Sequence, residues 1–209
     1  MIALLHYAFL KSWRDRSLPA FTLFTAGTFL MTRIAISAVG MIRGQRIVDD
    51  FFYRDLPTIA AVSSAMMAGL AGFWTLRLEI ADRSIGSFVL AARSVLMAAA
   101  ITVYAACVGF SSFLFAIPIT GIRVPPEVGS FGNLMLLAAC SSVVAGAFGL
   151  AMATISPEPP MVVPTWIGVI AIIIATFELI EPVAFVGSII LLALLLTMTS
   201  LLLERRCAA

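Results

Sequence analysis

The sequence predicts an all-α polytopic membrane protein: six transmembrane helices, an N-terminal interfacial helix and a cytoplasmic helix between spans two and three. Three observations carry that prediction. Of 209 residues, 62% are hydrophobic and only 11% charged, where a soluble domain carries about 25% charged residues. Mean hydropathy is +1.10. The apolar residues also fall into runs long enough to cross a hydrocarbon core about 30 Å thick, which takes about 20 helical residues. The chain divides into an interfacial segment, 1–17, and a membrane domain, 18–209.

Residues 1–16 resemble a signal peptide only superficially. Lys11, Arg14 and Arg16 follow the apolar stretch instead of preceding it, and no small-residue cleavage site appears, so the segment is expected to be retained. Ile2, Leu5, Phe9 and Trp13 recur at helical spacing. They give an apolar stripe ending in an interfacial Trp beside a basic cluster, as in a helix lying in the inner membrane surface.

Span one is Leu18 to Val39, with Pro19 tolerated in the first turn. It carries Arg33, about 22 Å from the inner end at 1.5 Å per residue. An arginine at that depth either snorkels or pairs within the bundle, or it meets an anionic substrate or lipid headgroup. The stretch Met41 to Asp55 sets Arg43, Arg46 and Arg54 against Asp49, Asp50 and Asp55, and is an exposed connection. Span two runs from Pro57 to Leu76, and its Ala65, Gly69 and Gly72 permit close helix approach.

The segment Trp74 to Arg93, WTLRLEIADRSIGSFVLAAR, interrupts the apolar spans. Glu79, Asp82, Arg83 and Gly86 fall on one helical face, and Ala81, Ile85, Phe88 and Ala92 on the opposite one. This is an amphipathic helix on the membrane surface, and it serves either as a docking helix for a cytoplasmic partner or as a solvated connection.

Span three, Ser94 to Ala116, is predicted to stop at Pro118, and Gly121, Pro125, Pro126 and Gly129 punctuate the connection that follows. Span four, Phe131 to Thr154, carries two four-residue ladders: Ala138, Ser142, Gly146 and Ala145, Gly149, Ala153. Both are packing surfaces first, because small residues are what let membrane helices touch. SPEPP at Ser156 to Pro160 is a rigid turn. Span five is Met161 to Phe177 and span six Val183 to Leu203, with Glu178, Glu181 and Pro182 between them. That connection is either a tight outer turn or a pair of short helices dipping into the outer leaflet, with the two carboxylates at the lip of an exit path.

Charge sets the orientation. With both termini cytoplasmic, Lys11, Arg14, Arg16, Arg77, Arg83, Arg93, Arg205 and Arg206 lie inside, against Arg43, Arg46, Arg54 and Arg123 outside. That asymmetry obeys the positive-inside rule.

Several chemistries are excluded. A net charge of +2 without a basic block argues against nucleic acid. Cys107 and Cys140 read as small core residues and Cys207 as a tail thiol, since their spacing suits neither a disulfide framework nor a metal site. The one histidine, His6, has no adjacent nucleophile or ligand set, and HExxH and GxSxG are absent. Lys11 is the only lysine and lies outside any GxxxxGK sequence, so the chain is not expected to hydrolyse nucleotide or to be an enzyme by itself.

The order of features resembles the permease subunits of type-2 ABC exporters. The resemblance is carried by the interfacial helix with its charged exit Lys11-Ser-Trp-Arg-Asp-Arg16, the segment Glu79 to Gly86 directly after span two, and the interrupted connection Glu178 to Pro182. It implies an entry elbow in the inner leaflet, a coupling helix at Glu79, Asp82, Arg83 and Gly86 that docks into a separate ATPase subunit, and an outer re-entrant element. It further implies a homodimer or heterodimer of permease chains in a bacterial inner membrane, with ATP and Mg held by the partner ATPase and no cofactor in this chain. Arg33, Glu178 and Glu181 are then the candidates for the substrate path, and a hydrophobic or amphipathic substrate suits the apolar spans. Two other readings remain open: a membrane anchoring or assembly subunit that recruits a partner through the same helix, and a solute-binding membrane subunit of an importer.

Overall fold

The computed structural model describes residues 6, 10, 17–43, 56–81, 94–120, 131–161, 164–165, 167–169 and 182–208. Among them the chain is helical and without strands: α1 Ser17–Arg43, α2 Leu56–Ala81, α3 Ser94–Thr120, α4 Phe131–Ile155, a short 3-10 turn Pro159–Met161, and α5 Pro182–Ala208. Within α3, α4 and α5, the stretches Ser94–Ile117, Phe131–Ile155 and Val186–Arg205 are each long and apolar enough to cross a membrane. The chain therefore has the build of an integral membrane protein.

Its interior is rich in small residues, and many of its large apolar side chains face outward. Ala65, Ala68, Ala98, Ala105, Ala138 and Ala145 are fully buried, whereas Leu30, Ile34, Leu114, Phe115, Ile190 and Leu194 are exposed. Water would penalise that distribution, but hydrocarbon does not. Lipid tails are as apolar as leucine, so membrane helices associate through close backbone packing instead.

The core is α2, α3 and α4, with the most extensive contact between α2 and α4. Glycine lets their backbones touch. A β-carbon on Gly149 would fall on the Gly69 carbonyl oxygen, and one on Gly72 would fall on the Gly146 carbonyl oxygen. On α3, a β-carbon on Gly109 would lie 2.6 Å from the Ser64 carbonyl oxygen and 2.9 Å from the Ser142 hydroxyl. Oxygens so placed are within reach of glycine Cα–H groups, the weak hydrogen bond that recurs at close helix interfaces. Gly69, Gly72, Ser142, Gly146 and Gly149, all read as packing positions in spans two and four, are among these contact residues, and the ladder residues on α4 are all buried. Gly27 and Gly187 face open space, so alanine at either is expected to change the melting temperature in detergent little and, if anything, upward.

The contacts also fix direction. Gly109 sits beside Ser64 and Ser142, while Met97 and Ala98 share a cluster with Leu76 and Ala153. Hence α3 runs antiparallel to both α2 and α4, which run parallel to each other. Ser94 donates a hydrogen bond to Glu204, so α5 is antiparallel to α3 and parallel to α4.

Five boundaries or placements differ from the sequence reading. α1 continues four residues past Val39 to Arg43, so Met41 to Arg43 belong to it and not to the exposed connection. α2 continues five residues past Leu76 to Ala81, so residues 74–81 belong to it and not to a separate surface helix. Arg77 to Ala81 includes no helix breaker, and Leu76 is buried with Ile80 packed beside it on the core. α3 runs two residues past Pro118, because a proline in the last turn forfeits one backbone bond and no more. α5 extends to Ala208, five residues past Leu203. Cys107 is exposed beside Val103 instead of sitting in the core, and both Cys107 and Cys140 are free thiols. A thiol behaves as a small hydrophobe and is at home on an apolar outer face.

Candidate functional site

One end of the bundle gathers the ends of four helices. Phe73 and Leu76 of α2, Met97 and Ala98 of α3, Leu150 and Ala153 of α4 and Leu203 of α5 form a single buried cluster. Trp74, Ile80 and Met161 pack around it. The end of α2, the start of α3, the end of α4 with the turn after it, and the end of α5 thus share one apolar floor. The chain from 82 to 93 leaves α2 and re-enters α3 at that floor.

At 1.5 Å per residue, the 26 residues of α2 extend about 39 Å, and the charged residues of this helix fall in its last turns. Arg77 is half-buried, and its guanidinium stacks over the Trp74 ring at 4.6 Å from the ring centre. Trp and Arg at i and i+3 share a face, and the pair suits an interfacial belt. Arg77→Ala is expected to lower stability by about 0.5–1 kcal/mol, the range of an exposed cation–π contact, read as a modest drop in melting temperature in detergent.

Of the coupling residues, Glu79 lies in the last turns of α2. Asp82, Arg83 and Gly86 lie outside the described residues, as do Ile85, Phe88 and Ala92. Of residues 1–16 only His6 and Leu10 are described, and both are helical and exposed.

Of the substrate-path candidates, only Arg33 lies among the described residues. Arg33 is exposed on α1, where the Ser37 hydroxyl donates to its carbonyl oxygen at 2.9 Å. Glu178 and Glu181 lie outside the described residues. In the predicted fifth span, residues 164, 165 and 167–169 are described and helical; Val169 is buried in a cluster with Ala65, Ala68 and Ala145.

Polar groups inside the bundle mostly satisfy themselves. Ser64 donates to Ala61 O at 2.7 Å, Ser112 to Val108 O at 2.9 Å and Ser141 to Ala138 O at 3.1 Å. Bonding back to the own helix is how a hydroxyl avoids an unpaired existence in apolar surroundings. Thr102, Ser142 and Thr199 are buried hydroxyls without a hydrogen-bond partner. No group of three His, Cys, Asp or Glu side chains able to hold a metal occurs among the described residues.

Sequence reasoning missed one polar contact. The Ser94 hydroxyl, 2% exposed, donates to Glu204 Oε1 at 2.5 Å. The partners are 110 positions apart, so no local spacing connects them. The available signal was that Glu204 is the only acid in the last span's helix. No protein-family model, curated protein or solved structure matches the chain.

Proposed function

We propose that this chain is the membrane subunit of an ABC transporter of the type-2 exporter kind. It would carry a hydrophobic or amphipathic substrate and be powered by a separate ATPase subunit docked on the Glu79 to Gly86 segment. The observation that carries the reading is the shared floor at one end of the bundle: α2 ends and α3 begins where the ends of α4 and α5 also meet. A push there would reach four helices at once. In this reading Glu79, Asp82 and Arg83 set register with the ATPase, which holds ATP and Mg, and two permease chains enclose the path.

Helix directions support six spans. α4 and α5 run parallel, so the chain between them must travel back from the floor to the opposite end. The 20 residues between Met161 and Pro182 would, as a helix, cover about 30 Å, one membrane crossing. With α1 and α2 counted, the reading has six spans and both termini on the cytoplasmic side of a bacterial inner membrane, the side that the distribution of basic residues favours.

Single cysteines in a cysteine-free chain test the topology. Positions 46 and 123 should label from outside with an impermeant maleimide, and position 83 only after the membrane is opened. Labelling of 83 from outside would overturn the orientation. The transporter reading itself is tested by purifying the tagged chain in mild detergent. A co-purifying soluble ATPase supports it; an intact oligomer with no ATPase would replace it with a membrane anchoring subunit.

A further inference from the structure

The last helix is buried most deeply at one end. In its membrane-length stretch only 22% of residues are buried, against 61% in α3 and α4. Ser188, Leu191, Leu192, Leu195 and Leu196 are half-buried along the face that continues into the buried Thr199, Ser200 and Leu203, whereas Val186, Ile189, Ile190 and Leu194 are exposed. Apolar contact alone gives this face little preference for the bundle, since lipid offers an equal surface. The close packing around Leu203 and the Ser94–Glu204 hydrogen bond one residue further on add specific attachment at the deeply buried end. A hydroxyl-to-carboxylate bond of 2.5 Å belongs to the short, strong class. Its donor is the first residue of α3, where the 82–93 segment rejoins the bundle.

We propose that Glu204 is a positioning residue: through Ser94 it ties the end of α5 to the foot of α3, so that the two move as one body when the 82–93 segment is displaced. This rests on the docking reading given above. A conserved contact distance at Ser94–Glu204 throughout the cycle is the consequence that separates a tether from a contact made in one state only.

The test uses the full chain with its ATPase in lipid nanodiscs. Ser94→Cys with Glu204→Cys, in a chain whose Cys107, Cys140 and Cys207 are replaced by alanine, is bridged by a short bis-methanethiosulfonate. The bridged complex should keep its ATP-driven cycling within about twofold of the unbridged one. Ser94→Ala and Glu204→Ala should each lower coupled activity by about three- to tenfold, the scale of a partly exposed hydrogen bond to a carboxylate. The double variant should lose no more than either alone, and Glu204→Gln, which keeps an acceptor oxygen, should retain most activity. Arrest by the bridge, additive losses, or glutamine as damaging as alanine would overturn the tether.

The tether has a second readout that needs no ATPase. Hydrogen exchange over residues 199–208 of the chain alone should quicken in both alanine variants and stay unchanged in Glu204→Gln; equal exchange in all four proteins would overturn it. If Glu79→Ala with Asp82→Ala abolishes coupling while the Ser94 and Glu204 variants do not, the tether fails and the docking reading stands. If no ATPase binds the native chain, the docking reading fails.

Discussion

Gly149→Val is expected to leave the chain largely unfolded or aggregated on detergent extraction, and Gly149→Ala to lower its melting temperature clearly. At this position the first added carbon already falls on the Gly69 carbonyl oxygen. That oxygen is backbone, held within α2, so no side-chain rotation can make room, and relief requires α2 and α4 to separate. Overpacking a tight core costs about 1–3 kcal/mol when side chains can adjust, and here they cannot. Separation would also forfeit the paired contact one turn away, where Gly72 meets the Gly146 carbonyl oxygen. The check is thermal or denaturant unfolding of purified protein, with Gly27→Ala and Gly187→Ala as controls. Equal stability of Gly149→Ala and the native chain would show that α2 and α4 do not touch in this way.

Glu79→Ala combined with Asp82→Ala is expected to bring ATP-coupled transport to background while the chain remains inserted and folded. On the proposed reading these carboxylates set register with the ATPase, and a charge pair at an interface centre costs roughly 2–5 kcal/mol when one partner is lost. Glu79 stands in the last turns of α2. Its substitution leaves the packed part of α2, from Ala60 to Leu76, intact. The glycine contacts that lock α2 to α4 make the pair a rigid lever, so losing contact at its tip disconnects the motion without weakening the fold. The measurement is ATPase stimulation and transport by reconstituted complexes, beside the melting temperature of the chain. Unchanged stimulation at unchanged stability would count against the coupling role.

Much of the architecture was legible because a membrane interior writes itself plainly in sequence. Span four, read as Phe131 to Thr154, ends one residue short of the observed helix, since an apolar run bounded by glycine and proline turns has few other ways to fold. The ladders through Gly69, Gly146 and Gly149 were legible for a related reason: small residues four apart on an apolar helix have little use except to let another backbone approach. Reading span two as ending at Leu76 took the onset of charge as the end of the helix. Charge marks the membrane surface, whereas hydrogen bonding and the packing of Ile80 decide where the helix stops.

The candidate site was legible as a stretch and not as a place. Glu79, Asp82 and Arg83 stand out as charge amid apolar sequence, but nothing in their spacing says that the end of α5 packs on the last buried turn of α2. Leu203 joins that floor from far along the chain, and the Ser94–Glu204 bond pairs two residues that carry no local signature. Such contacts are products of topology, and they follow only once helix directions are known.

The measurement that most directly tests the central claim is the amount of soluble ATPase that co-purifies with the tagged chain, native against a variant with Glu79, Asp82 and Arg83 all replaced by alanine. The account predicts a stoichiometric, ATP-hydrolysing partner on the native chain and its loss, by at least about tenfold, from an equally well-folded variant. Equal recovery of the ATPase by both chains, or none by either while the oligomer persists, would contradict it.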